Sequence, residues 1–248
     1  MYRFFVPVEN VWENRIRVTG DDVNHIKNVL RMTAGEKVIA SCGRGIDYYC
    51  EIEKVCEDHV ELIVLEEKEA TTELPVAITL FQALPKQDKM ELVVQKAIEL
   101  GAVSVVPVRT KRCVVKLDDA KAIKKCQRWQ GIAEAAAKQS GRGIVPKIGS
   151  VVSFAEALEQ ARTMDMAMIP YEMWDDMAGS VKLMKKAADQ KSIAIFIGPE
   201  GGFERGEIEK AMEMGVQPIS LGKRILRTET AGMATLSMLM FLIEGREE

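Results

Sequence analysis

The spacing of apolar residues changes character near residue 75. Before that point the chain carries short runs with strand character: Tyr2–Val6, Arg15–Val18, Lys37–Ser41, Asp47–Val55 and Val60–Leu65. Cys42-Gly43-Arg44-Gly45 between two of these runs reads as a hairpin turn. One helix is expected, begun by Asp21 or Asp22, with Val23, Ile26 and Leu30 on one face and a stop before Gly35. The polar, acidic stretch Glu66–Leu74 marks a boundary. The pattern predicts a small β-rich, barrel-like domain over residues 1–70.

From Pro75 onward strand and helix alternate. Val76–Leu80, Val103–Val108, Met166–Ile169, Ile193–Ile197 and Val216–Leu221 are apolar enough for strands buried on both faces, as in a parallel sheet. Between them lie helical patterns at Asp88–Leu100, Ala120–Lys138, a segment ending at Arg162, and Val181–Ala188, with an apolar final helix at Ala231–Ile243. Gly101 follows one of these helices, and Ser153 with Glu156 forms a capping box before another. Five parallel strands with crossover helices make residues 74–248 an α/β domain.

Three loops near the end of the chain stand out. Ile193–Ile197 runs into Gly198-Pro199-Glu200-Gly201-Gly202, Val216–Leu221 runs into Gly222, and Lys223–Glu229 leads into the final helix. Strand ends and glycine loops in this order predict a binding crevice at the carboxyl edge of a sheet. The glycines do not suit a nucleotide phosphate: no Gly-Lys-Ser/Thr follows them, Pro199 breaks the dinucleotide spacing, and Glu200 would repel a pyrophosphate. A neutral or cationic ligand fits better.

Charge alters this picture in one region. The 248-residue chain has a net charge of −3, yet Pro107–Lys147 holds eleven Lys/Arg against three acids. A basic face on an acidic body is the pattern of a protein that holds phosphates. Lys121, Lys124, Lys125 and Arg128 fit a solvated helix face equally well, whereas Arg109, Lys111 and Arg112 follow a strand. Five cysteines without a C-x-x-C pair and only two histidines, His25 and His59, argue against a disulfide framework or a metal site. The first residues turn polar too early for a signal peptide, and the longest apolar stretch is short of a membrane span, so a cytoplasmic protein is expected.

Several motifs together carry a resemblance: G-P-E-G-G-F, L-G-K-R-I-L-R-T-E-T-A, K-M-E-L-V-V-Q-K-A-I-E-L-G, R-T-K-R-C-V-V-K, H-I-K-N-V-L-R-M and A-A-K-Q-S-G-R-G-I-V-P. In this order and spacing the chain resembles, over essentially its whole length, the RsmE family of bacterial 16S ribosomal RNA uridine N3-methyltransferases in the SPOUT superfamily. One departure is Lys138, where the family more often has Glu. The resemblance implies a PUA-like RNA-binding domain followed by a SPOUT α/β domain with a C-terminal trefoil knot. It also implies a homodimer acting on 16S rRNA of the small subunit with S-adenosylmethionine as methyl donor. By the same resemblance the cofactor residues are Gly198, Glu200, Gly201, Gly202, Leu221, Gly222, Ile225, Leu226, Arg227 and Thr230.

Uridine N3 keeps its proton at neutral pH, so the reaction calls for a base or for cations that stabilise the imide anion. Both histidines lie in the N-terminal domain, which leaves Glu229 as the candidate base and Arg227 as the candidate partner of the uracil oxygens. Glu229 is equally suited to bonding loop amides, and Arg227 to pairing with Glu229 or Glu200. Arg3, Arg31, Arg109, Arg112 and Arg142 are the candidate phosphate contacts. Ribose 2′-O-methylation and RNA binding without catalysis remain as alternative activities.

Overall fold

The computed structural model describes residues 1–246 and divides them into two compact units, 1–73 with 137–145 and 74–136 with 146 onward. In the first unit, β1 (Arg3–Phe5), β2 (Val11–Trp12), β3 (Arg15–Thr19), β4 (Lys37–Ser41), β5 (Ile46–Val55) and β6 (His59–Glu69) form one sheet in the order β1-β4-β5-β6-β3-β2. Only the β1–β4 pair is parallel. Inward residues of alternating strands, among them Phe4, Ile16, Val18, Val38, Ile52 and Leu62, close over Val23 and Ile26. Those two come from α1 (Asp21–Asn24) and the wider helical turn His25–Val29 that continues it.

The acidic stretch expected to mark the boundary does not break the sheet at residue 66. β6 continues to Glu69, where Glu66–Glu69 pair with Ile46–Tyr49 of β5. Backbone pairing at a sheet edge tolerates charge when the side chains face water, so polarity alone did not end the strand. The first unit then takes back residues 137–145. Gly45 N–H donates to Gly143 O (3.1 Å), Arg44 bridges Ile144, and Ser41 Oγ donates to Gly143 O (3.2 Å). A Cβ on Gly143 would collide with the Cβ of Ala70, so only glycine lets these backbones approach.

The second unit is built on β7 (Ala77–Ala83), β8 (Ser104–Arg109), β9 (Lys147–Ile148), β10 (Val152–Ser153), β11 (Met166–Pro170), β12 (Ser192–Ile197) and β13 (Gln217–Ile219). They run parallel in the order β10-β8-β7-β12-β11-β13, with β9 also on β8. The crossovers carry α2 (Lys89–Glu99), α3 (Asp119–Ser140), α4 (Phe154–Ala161), α5 (Met177–Ala188) and α6 (Arg205–Glu213), and α7 (Thr228–Glu244) follows the last strand. The last turn of α3 falls in the first unit. Phe81 and Phe196 stack with ring centroids 4.7 Å apart, and Phe154 meets both Phe196 and Phe203. Phe203 belongs to the loop after β12, so the core itself folds that glycine loop back onto the sheet.

Seven parallel strands replace the five expected, since the short β9 and β10 also join the sheet, and several boundaries differ from the sequence expectation, two of them next to the glycine loops. β13 is three residues long rather than six, and α7 begins at Thr228, three residues early. Glu229 therefore sits in the first turn of α7, where an acid suits the helix dipole, and not in the loop before it. Among the described residues no helix is long and apolar enough to cross a membrane.

Candidate functional site

Because the strands are parallel, the segments after β7, β8, β11, β12 and β13 all emerge at one edge of the sheet. Gly198–Glu204 follows β12 and is held from several sides. The Gly198 carbonyl accepts from Thr228 Oγ1 (2.6 Å), and that hydroxyl accepts from Nε2 of the buried Gln82 (2.9 Å). The Gly201 carbonyl accepts from Arg112 Nη1 (2.8 Å). Buried Glu207, in α6, takes N–H donors from Glu204 and from Lys111, each at 2.9 Å, and so clips the basic loop after β8 to the far end of the glycine loop.

Glu200 turns towards α2. Its Oε1 accepts from the Lys86 N–H (3.0 Å) and lies 3.2 Å from Lys89 Nζ. The same ammonium is 3.4 Å from Oε2 of Glu229, a carboxylate oxygen shielded from solvent that has no hydrogen-bond donor of its own. Burial pushes the Glu200 carboxyl up, but the N–H groups of its own backbone and of Lys86, with Lys89, outweigh this and hold it below the ordinary carboxylate range. A lowered value means the contacts are complete at neutral pH and weaken only as pH falls through that lowered range.

The sequence offered pairing with these glutamates as the alternative role of Arg227, and the structure gives that place to Lys89. Arg227 is the exposed N-cap of α7, and among the described residues no ion pair or hydrogen bond reaches its guanidinium. Lys89 and Glu207 were both missed. The E-R-G-E run at Glu204–Glu207 was a readable capping-box signal, and a lysine opening a helix was another, since the dipole there disfavours a cation.

The remaining predicted cofactor residues lie in the segment after β13 and in the first turn of α7. Leu221 and Leu226 are half-buried, Thr230 is exposed, and Ile225 is 87% exposed. Gly222 has φ +101°, and a Cβ there would meet nothing within 4 Å. Gly201 behaves differently: its missing side chain would point at Cβ and Cδ of Arg112 (3.4 and 3.6 Å), not into open space. Gly202 likewise faces Glu172 Oε1 at 3.0 Å with φ +66°. Glycine in the first loop thus serves close packing of the protein on itself, and the open approach lies at Gly222. Two carboxylates against one ammonium, with no lysine among the glycines, suit a cationic ligand and not a phosphate.

The candidate phosphate contacts separate into two groups. Arg3 pairs through both nitrogens with Asp47 and its side chain is only 9% exposed. Arg142 is 3% exposed and forks onto Glu73, its Nε lying 2.9 Å from each carboxylate oxygen. In both, the guanidinium is buried on a carboxylate, an arrangement that favours a structural ion pair over a phosphate contact. Arg31 is exposed, at φ +55°. Arg109 is half-exposed with only a 3.4 Å bond to Leu117 O and a 3.7 Å approach to Asp119, and Arg112 is exposed but engaged with Gly201.

Two family models match the chain. An RNA methyltransferase domain family matches residues 72–240, and an RNA methyltransferase PUA domain family matches residues 18–65. The chain is 38% identical to the ribosomal RNA small subunit methyltransferase E of Bacillus subtilis, over 92% of this chain and 90% of that protein. The crystal structure of a ribosomal RNA small subunit methyltransferase E from Neisseria gonorrhoeae, bound to S-adenosyl methionine, has a TM-score of 0.83 at 31% identity, covering 96% of this chain and 95% of that one. A putative methyltransferase from Legionella pneumophila, in complex with the cofactor SAM, has a TM-score of 0.82 at 32% identity and covers 96% of both chains.

Proposed function

Since the chain belongs to the ribosomal RNA small subunit methyltransferase E family, we propose that it transfers a methyl group from S-adenosylmethionine to N3 of a specific uridine in 16S rRNA, as a step in small-subunit maturation. The observation that carries this reading is the carboxyl edge of the second unit. It is supported there by the Lys89-bridged pair Glu200 and Glu229, by Gly222 with nothing near its missing side chain, and by the lack of a phosphate-gripping lysine among the glycines of the loop after β12. S-adenosylmethionine, when bound, supplies a methyl group on a cationic sulfur.

The chain's own residues do the rest. Gly198, Glu200, Gly201 and Gly202, with Leu221, Gly222, Ile225, Leu226, Arg227 and Thr230, hold the methyl donor. Glu229 accepts the N3 proton, and Arg227 faces the uracil oxygens as negative charge develops on them. Arg31, Arg109 and Arg112 meet phosphates, and the knotted path implied by the family is part of the same reading. The test is tritium transfer from labelled S-adenosylmethionine to 30S subunits, followed by nucleoside analysis. Label in 3-methyluridine is expected. Label in a 2′-O-methylated nucleoside, or cofactor binding without any transfer, would overturn the N3 assignment.

A homodimer belongs to this reading. Phe241 (76% exposed) and Met238 of α7, Met177 and Val181 of α5, and Leu221 border an apolar cleft of about 200 Å³. Covering such a face with a second copy removes it from water and brings a subunit boundary to a cofactor residue. The expected outcome for Phe241→Glu is conversion of a dimer to a monomer, with cofactor affinity lowered about tenfold or more. Analytical ultracentrifugation checks this, and a wild-type protein that sediments as a monomer at micromolar concentration would rule it out.

A further inference from the structure

We propose that Lys89 is a positioning residue for the transfer: its ammonium holds Glu200 of the cofactor loop and Glu229 of α7 in fixed register, so that the methyl-donor side and the proton-acceptor side of the site move as one body. This rests on the function proposed above. The geometry is specific. One ammonium lies 3.2 Å from Glu200 and 3.4 Å from Glu229, and all three side chains are about three-quarters or more shielded from solvent.

Among the described residues Lys89 is the only cation paired with the shielded Oε2 of Glu229, which no hydrogen-bond donor reaches. Without it, two carboxylates would face each other in a half-dry crevice, a costly arrangement. Two local features suggest that the lysine is kept for this task. It occupies the first position of α2, where the helix dipole disfavours a positive charge. Two residues earlier Gln87 holds a left-handed backbone (φ +58°), in the turn that also aims the Lys86 N–H at Glu200. Strain and a broken helix rule at one point in a chain are characteristic of functional positions. A second link runs in parallel, from Gln82 through Thr228 to the Gly198 carbonyl, but it carries no charge and does not touch either glutamate.

The experiment measures cofactor affinity by calorimetry and single-turnover methylation of 30S subunits at saturating cofactor, for wild type, Lys89→Met and Lys89→Arg. The expected result for Lys89→Met is about a tenfold weaker affinity for S-adenosylmethionine, a factor worth about 1.4 kcal/mol. The saturated rate should also fall about tenfold, and Lys89→Arg should recover most of both. In a Glu229→Gln background the further change on removing Lys89 should be clearly smaller, because the charge it compensates is gone. Wild-type affinity and rate in Lys89→Met would overturn the proposal. So would losses that track a lowered melting temperature without rescue by arginine, or full additivity with Glu229→Gln. A wild-type protein that fails to bind S-adenosylmethionine would instead defeat the proposed function, so the two failures are distinct.

Discussion

Replacing Glu229 with Gln is expected to lower single-turnover methylation by about 10²–10⁴-fold, the range for removing a general base, with the protein still folded and cofactor affinity near wild type. Glutamine keeps the shape of the side chain. It leaves Lys89 paired with Glu200 alone, a neutral cluster in place of two acids and one base. No buried charge is stranded, which is why stability should hold. Raising the pH should restore part of the rate, because solvent can then remove the N3 proton unaided. If affinity and melting temperature fall together and high pH restores nothing, Glu229 is an anchor for the start of α7 and not a base. If turnover stays at the wild-type level, neither role survives, and uracil activation passes to Arg227.

The second large effect is on stability. Changing Arg142 to Met should cost about 3–5 kcal/mol, as expected when one member of a buried ion pair is removed. Glu73 would lose the guanidinium and keep only the N–H groups of Gly143 (2.8 Å) and Ile144 (3.3 Å). The slope of log RNA affinity against log salt should not change, measured under conditions where the variant is folded. In Arg109→Ala, by contrast, that slope should fall by about one while the denaturation midpoint barely moves. A reduced slope in the Arg142 variant with an unaltered unfolding midpoint would return that residue to the RNA surface.

These two residues show where the sequence is legible. The apolar run before Gly198 fixes β12, and Ser153 with Glu156 is the capping box that opens α4. Both signals are local: period and cap chemistry act within a few residues. Charge is not local in this way. Arg142 and Arg109 look alike along the chain, and what separates them is Glu73, 69 residues before Arg142 in sequence and bonded to it in the fold. Lys89 was hidden for the same reason, since its partners lie 111 and 140 residues further on and pass unseen by any pattern of spacing. Gly201 and Gly222 carry the same letter, yet one packs against Arg112 and the other faces open space.

The return of residues 137–145 to the first unit has a consequence for how the chain is made. A ribosome delivers residues in order, at about 5–20 per second. When residue 73 has emerged, the β4–β5 turn still lacks the Gly143 and Ile144 backbone that it pairs with, and Glu73 still lacks its guanidinium. The first unit therefore waits, incomplete, through the synthesis of about seventy more residues belonging mostly to its neighbour. The N-terminal part of this protein begins first but cannot finish first, and a fragment cut at residue 73 is missing a structural part of its own.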